Sequence, residues 1–406
     1  MDLFSILSVS FSTERWNLNE GRTVFAQLMD FFPRYEFSQC VERYQGNYRM
    51  RQLSCYDQFL AMAFAQLTGR ESLRDTVTCL KALGSKLYHA GLRGSTARST
   101  LAEANEKRDW RIFADFAGVL IQQAKPLYAQ ESFGVDLEQA AYALDSTIIE
   151  LCLSLFPWAR FRHYEAAIKV HALLDLKGNL PQTVFVTPAR LHDVNILDRL
   201  SFEPGAIYIF DRAYLDFVRL HVIHRAPAFF ITRARRNFRF RRLHSHPVQP
   251  SSGVICDQTI RLKSFYPLRG YPDQLRRIRY RDLQHSHRLI FLTNNFLLPA
   301  AQIARLYQCR WQIELFFKWI KQHLRIKAFF GISENAVKTQ IWIAICVYVL
   351  VAITRKHLKV DTKPYEILQV LSLSLFEKMP ILQAFSRNSP AREEPDFSNQ
   401  LKLFDL

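Results

Sequence analysis

The sequence predicts an α/β protein built in several parts. An all-helical N-terminal domain precedes a mixed strand-and-helix core, a β-rich insertion interrupts that core, and a helical region closes the chain. Three observations predict this. From Thr23 to about residue 125 the chain reads as helices separated by glycine-marked turns. From about residue 140 the pattern changes to short apolar or alternating runs, as strands require. Between 233 and 300 the chain becomes arginine-dense and turn-rich before helical spacing returns.

The bulk numbers bound the function. A chain of 406 residues has room for two or three domains, and 49% hydrophobic residues with 13% aromatic ones supply a large core. The formal net charge of +17 suits a polyanionic partner, either nucleic acid or an anionic membrane surface. The longest apolar stretch, 341–353, has thirteen residues. A spanning helix needs about 20, so the stretch reads as a core helix, and nucleic acid is the expected partner with no membrane. Residues 1–12 are apolar, but no basic residue precedes them and no small-residue cleavage site follows, so they do not read as a signal peptide. The seven cysteines are scattered without a CxxC pair. That disfavours zinc and disulfides and fits a reducing compartment. The expected location is the cytoplasm, in association with the nucleoid.

Taken in order, residues 1–20 read as an arm and 21–125 as the helical domain. Residues 57–67 form an apolar helix that Gly69 ends, and Ser72-x-x-Asp75 marks the next helix start. Thr100-x-x-Glu103 has the pattern of a capping box opening a long helix to about residue 123. Arg49, Arg51, Arg70, Arg74, Arg93, Arg98, Lys107 and Arg108 stud this domain. They suit DNA binding, or a packing domain with a solvated basic surface. Residues 95–100, which include Arg98, would set donors at a helix start against phosphates.

The strands follow. Residues 141–149 are an apolar run carrying Asp145, 168–174 alternate, and 183–187 make a third strand. A short helix opens near Asp193, a fourth strand at 206–211 ends in Asp211, and a helix at 214–224 leads to a fifth strand at 228–232. Three strands, a helix, a strand, a helix and a strand is the order of an RNase H-like core. Its two acids meet only if the first and fourth strands are neighbours. The core's first part is thus 140–232, the insertion 233–300 and the second part 301–355, with C-terminal helices and a tail over 356–406. Six arginines, Arg233, Arg235, Arg236, Arg239, Arg241 and Arg242, crowd the start of the insertion. Runs at 278–280 and 289–293 read as its strands.

Residues 307–321 contain no Gly or Pro and read as one helix. At about 100° per residue, Arg310, Tyr307 and Lys321 lie at roughly −40°, +20° and −20° from Glu314. One acid, two cations and a phenol therefore share a face about 20 Å long. The bland account is an Arg310–Glu314 ion pair, worth only about 0.2–0.5 kcal/mol.

Metal-assisted phosphodiester chemistry needs two or three carboxylates converging on one point, and Asp145, Asp211 and Glu314 supply them. An unpaired acid in an apolar strand is costly to bury, although a strand-end acid also caps turns or pairs with a neighbour such as Arg212. Competing acids are Glu150, Glu165, Asp175, Asp193, Asp198 and Asp216. Asp193 is the strongest rival, and its loop position favours a helix cap.

The spacing Tyr307-x2-Arg310-x3-Glu314-x6-Lys321 resembles the signature of the insertion sequence 4 family of DDE transposases. Asp145-Ser-Thr147, Lys169-x-His171, His192-Asp193 and Asp211-Arg-x-Tyr214 resemble that family's blocks around its first two acids, and 99–108 is similar to the N-terminal domain of one branch. The resemblance covers roughly 22–355. It implies a cut-and-paste DNA transposase that uses Mg2+, or Mn2+ in its place. The implied partners are double-stranded DNA, both terminal inverted repeats and target, and a second copy of the chain on that DNA. Tyr307, Arg310 and Lys321 would contact phosphates near the cleaved end. Lys169, His171, Arg98, Arg233, Arg235, Arg236 and Arg239 are further expected DNA contacts. One departure stands out. Some members stack a flipped base on an insertion-domain tryptophan, whereas the six tryptophans here (16, 110, 158, 311, 319, 342) all lie outside 233–300. Stacking would fall to Phe238, Phe240, Phe265, Tyr266, Tyr271 or Tyr280. A plain metal nuclease on the same core, and a catalytically silent DNA-binding descendant, are the alternatives.

Overall fold

A computed structural model describes residues 21–92, 94, 96–235, 239–281, 288–323, 329–362 and 364–386. The arm at 1–20, the tail at 387–406, Arg93, Arg236 and Phe238 lie outside the described residues.

The chain begins with seven helices: α1 (Val24–Leu28), α2 (Arg34–Arg43), α3 (Cys55–Leu67), α4 (Leu73–Ala82), α5 (Lys86–His89), α6 (Arg98–Lys107) and α7 (Arg111–Leu127). Helix α3 starts where a capping box forms, with the Ser54 hydroxyl accepting from the Asp57 N–H and the Asp57 carboxylate accepting from the Ser54 N–H. Ser72 caps α4 in the expected way. The capping box expected at Thr100 is not there. Thr100 lies inside the first turn of α6, whose N-cap is Ala97, and the long helix is two helices. Arg108 stands at the break. Its backbone is extended (φ −75°, ψ 134°), and its guanidinium donates to Gln58 Oε1 at 3.0 Å and to the Leu53 carbonyl.

The sheet has ten strands among the described residues: β1 (Ala141–Leu151), β2 (Arg160–Arg162), β3 (Glu165–Asp175), β4 (Leu180–Pro188), β5 (Ile207–Phe210), β6 (Phe229–Arg233), β7 (Phe240–His246), β8 (Val254–Leu262), β9 (Leu275–Arg281) and β10 (Arg288–Thr293). Its order is β2-β3-β1-β5-β6-β10-β9-β8-β7, with β4 also paired to β3. Strands β1, β3 and β4 are antiparallel, whereas β1, β5 and β6 run parallel. The parallel crossover from β5 to β6 carries α8 (Phe217–Arg225). The β-rich interval does not form a sheet of its own. Strand β10 pairs antiparallel with β6, so β7–β10 extend the same sheet. Asn294 secures that junction, accepting from the Phe230 N–H and donating to the Ala228 carbonyl. A short helix, α9 (Phe265–Gly270), lies between β8 and β9.

The stretch read as one helix is two, α10 (Ala300–Cys309) and α11 (Trp311–His323), with Arg310 between them. Arg310 keeps helical angles (φ −54°, ψ −30°), but the Ile313 N–H reaches back three residues to its carbonyl instead of four. Such a tightened turn shifts the axis while keeping neighbouring side chains on one face.

Helix α12 (Glu334–His357) is long and apolar enough to cross a membrane by length and composition, yet 89% of its most apolar window is buried inside the fold. It packs on α7, α6 and α3, as a core helix does. Helices α13 (Pro364–Ser374) and α14 (Ile381–Ser386) follow. The sheet thus has two covered faces. Ala143, Ile209 and Ile231 pack with Tyr307, Ile313 and α12, and Leu144, Phe210 and Phe230 pack with Tyr214 and α8.

Candidate active site

Register decides where the strand acids stand. Leu144 is paired with Phe210 across the parallel β1–β5 ladder, so the next residues, Asp145 within β1 and Asp211 just past the end of β5, stand side by side. Ile209 is paired with Ile231 on β6, which sets Arg233 on the same rung. Alternation puts all three on the face of Ala143, Ile209 and Ile231, beneath α10 and α11.

Helix α11 brings Glu314 in its first turn. The Arg310 guanidinium spans the acids. Nη1 donates to Asp145 Oδ2 at 2.7 Å and Nη2 to Glu314 Oε1 at 2.8 Å. Its side chain is 16% exposed, against 59% for that of Glu314. The Arg310–Glu314 pair is therefore real, but it belongs to a larger charge group. Burial first, then the charges of Asp211 and Glu314, push the Asp145 carboxyl above the usual range. The Ser146 N–H bond to Asp145 Oδ1 and Arg310 pull the other way. Asp211 also caps a turn through Oδ1, which accepts from the Arg212 N–H.

Among the described residues, no three Asp, Glu, His or Cys side chains are gathered closely enough to grip a metal as they stand. Arg310 supplies the positive charge instead. The donor set still fits a hard divalent ion: Asp145 and Glu314 share one guanidinium, the charge of Asp211 acts on Asp145, and Mg2+ and Mn2+ favour carboxylate oxygen.

The rest of the helix signature is less exposed than its expected role suggests. The Tyr307 ring is buried against Phe291, with centroids 4.9 Å apart, and the Arg310 guanidinium lies 5.8 Å from its centroid. Burial raises its phenol pKa. Lys321 Nζ donates to the Ile148 carbonyl at 2.7 Å, tying α11 to β1. Arg98, Arg233, Arg235 and Arg239 are exposed, and Arg236 lies outside the described residues.

Lys169 and His171, expected at the DNA, require correction. They are 7% and 0% exposed and sit on the opposite face of the sheet. Lys169 Nζ lies 2.9 Å from Asp193 Oδ1 and donates to the Leu191 carbonyl. His171 Nε2 bonds the Thr187 hydroxyl at 3.0 Å, and its Nδ1 is 3.8 Å from Asp193 Oδ1. Burial lowers the His171 pKa to about 4, so the ring is neutral at physiological pH. Asp193 is not the cap it was expected to be. His192 holds the N-cap position of the 3-10 turn Asp193–Arg199, its Nδ1 accepting from the Val194 N–H. Asp193 instead accepts from the Ser146 hydroxyl at 2.8 Å. Tyr214 is buried on this side too. Burial, then the charges of Asp193, Asp145 and Asp211, raise its phenol pKa. The sequence blocks contained these residues but not their pairing, which appears only once Ser146 is seen opposite His171.

The stacking candidates also narrow. Tyr271 and Tyr280 are buried and Phe240 is half-buried under Arg277. Phe265 and Tyr266 are 70% and 81% exposed.

Residues 137–350, just over half of the chain, match the family described as Transposase DDE domain. The chain belongs to the DDE transposases, insertion sequence 4 type. Residues 20–93 match a domain of unknown function, DUF4372. The transposase is 32% identical to y4zB of Sinorhizobium fredii over 71% of this chain and 80% of that one. It is 30% identical to the IS5377 protein of Geobacillus stearothermophilus over 51% and 54%. It is 22% identical to the IS4SA protein of Synechocystis over 86% and 94%. All three bear transposase names.

Proposed function

We propose that this transposase moves an insertion sequence by cut-and-paste, with Asp145, Asp211 and Glu314 as its catalytic acids on an RNase H-like core. The observation that carries the proposal is the shared rung of Asp145 and Asp211 on adjacent parallel strands, with Glu314 joined to it through Arg310. The strand order supports the core assignment, since three antiparallel strands continue into the parallel pair β5 and β6.

The three acids would hold two divalent ions, Mg2+ or Mn2+, which when bound activate the attacking oxygen and offset charge on the leaving one. The chain's own residues do the rest. Arg310 neutralises the acids in the absence of DNA, and its planar fork matches a phosphate as well as a carboxylate. A DNA phosphate at the acids draws the guanidinium off them and takes its two donors. Lys321 and Arg233 flank that position with further positive charge. Tyr307 supports the guanidinium from below rather than reaching far into solvent.

DNA is gripped in two further regions. Arg233, Arg235, Arg239, Arg241 and Arg242 make an exposed cationic start to the insertion. In the helical domain a groove of about 910 Å³ is lined by Arg49, Arg51, Lys107 and Arg108 beside Tyr48 and Thr100, and it suits the terminal inverted repeats. Phe265 and Tyr266, both exposed, would stack an unpaired base. Two ends must be held together, so the working form is a dimer on DNA, acting in the cytoplasm at the nucleoid. Affinity falls steeply with salt, because phosphate contacts release counterions.

The test uses purified protein and a supercoiled donor bearing the element's own ends, with Mg2+, Mn2+ or EDTA, beside Glu314→Gln. Excision and a joined product, both metal-dependent and both absent in the variant, are the expected result. Cutting without joining would replace the proposal with a metal nuclease. End binding without cleavage in either metal would leave a DNA-binding descendant.

A further inference from the structure

Asp193 stands behind the proposed acids and has no part in the chemistry above. Its Oδ1 accepts from the Ser146 hydroxyl at 2.8 Å and lies 2.9 Å from Lys169 Nζ, with His171 Nδ1 at 3.8 Å. These groups come from three places in the chain: β1, β3 and the turn after β4. Lys169 also donates to Leu191, in the same segment as Asp193, so both ends of the ion pair are anchored to that turn. The pair is sheltered, with side-chain exposures of 9% and 23%. The neutral His171 leaves Lys169 as the counter-charge.

Successive strand residues point to opposite faces. Asp145 therefore points toward α11 and Ser146 points back toward Asp193. Ser146 is gripped from both sides: its N–H donates to Asp145 Oδ1 at 2.8 Å, and its hydroxyl donates to Asp193 Oδ1 at 2.8 Å. A buried ion pair adds little net stability over an apolar pair of similar size. Two donors converging on one oxygen do fix geometry, and here the geometry fixed is that of the residue after Asp145.

We propose that Asp193 is a positioning residue for Asp145, acting through Ser146 to hold the Asp145 carboxylate where it serves a divalent cation. The proposal rests on Asp145 being a cation ligand. Partners behind a ligand typically change metal affinity by roughly 10–100-fold when removed.

The experiment titrates Mn2+ into the full chain and follows free Mn2+ by electron paramagnetic resonance, without DNA, with thermal melting run alongside. The variants are Ser146→Ala, Ser146→Thr and Asp193→Asn, with Asp145→Asn as the reference. Ser146→Ala and Asp193→Asn are expected to weaken Mn2+ binding about tenfold. Ser146→Thr, which keeps the hydroxyl, restores it, and Ser146→Ala melts with the parent. Parental Mn2+ affinity in Ser146→Ala and Asp193→Asn, with binding lost in Asp145→Asn, would overturn the positioning role alone. So would a loss of affinity that only tracks melting temperature and is not restored by Ser146→Thr. Unchanged binding in Asp145→Asn would remove the ligand assignment itself, and the positioning role with it.

Discussion

The two faces of the sheet at Asp145 and Ser146 of β1 solve opposite electrostatic problems within one residue of each other. On the α11 face Asp145 and Glu314 share one guanidinium with Asp211 beside them, and burial, then the neighbouring acids, raise the Asp145 pKa. On the α8 face a single acid, Asp193, is met by a hydroxyl, an ammonium and an imidazole. On one face two acids share a single cationic group, and on the other a single acid is met by two donors within 3 Å. Under the proposals above, the difference would separate the face that takes a cation from the face that holds the strand still. Surplus charge is maintained only where the surroundings enforce it.

The contrast is broken most severely by removing an acid from the crowded face. Asp211→Asn and Glu314→Gln are each expected to lower DNA cleavage by at least roughly 10³-fold, the scale on which groups acting as a unit fail, while the protein melts like the parent. A gel assay of donor plasmid alongside calorimetry checks both halves. Next comes the saturated face. Lys169→Met leaves Asp193 without its counter-charge in a sheltered place and should destabilise the fold by about 3 kcal/mol in urea unfolding. Adding Asp193→Asn should recover most of that loss. An unchanged urea midpoint in the single variant would mean the pair is not a lock.

A pH series compares the faces without any metal. The His171 pKa is about 4 in the fold against 6.5 in the unfolded chain. Between those values the unfolded chain binds a proton that the folded chain does not, so stability falls as pH drops from 6.5 to 4. The fall is about 1.4 kcal/mol per unit, or about 3 kcal/mol in all. His171→Asn should flatten that part of the urea-midpoint curve. The smallest effect belongs to the exposed aromatics. Tyr266→Ala should weaken binding of end DNA carrying an unpaired base by about 1–3 kcal/mol and leave fully paired ends unaffected, as a filter-binding comparison would show.

Parts of this arrangement were legible in the sequence for definite reasons. An apolar run carrying Asp145 and another ending in Asp211 marked strands with acids at special positions, and the two acids could meet only if those strands were neighbours. The parallel register, Leu144 opposite Phe210, supplies the contact. The Tyr307–Lys321 spacing reads as one helical face; the structure divides it between α10 and α11, with Arg310 2.8 Å from Glu314 and 5.8 Å from the Tyr307 ring centroid. Other parts were hidden. Alternation says that Lys169 and His171 share a face, but not which face DNA meets, and the β1–β3 register put them beside Ser146 and under Asp193. Arg108 is an ordinary helix residue by composition, so no local pattern marked the break between α6 and α7, where its guanidinium bonds Gln58 and Leu53. In the arginine-rich interval the runs at 278–280 and 289–293 were visible as strands, whereas β7 and β8 were not. Their union with the core sheet depended on β10 pairing with β6, which no local pattern encodes.

The central claim is that the crowded face receives the cations and that Arg310 yields its place to them. The most direct measurement is anomalous scattering from Mn2+ in crystals of the protein with its end DNA. The account predicts manganese peaks between Asp145 and Asp211 and within reach of Glu314, with the Arg310 guanidinium turned to a phosphate. Manganese bound elsewhere, or Arg310 still joining Asp145 to Glu314 beside bound DNA, would contradict it.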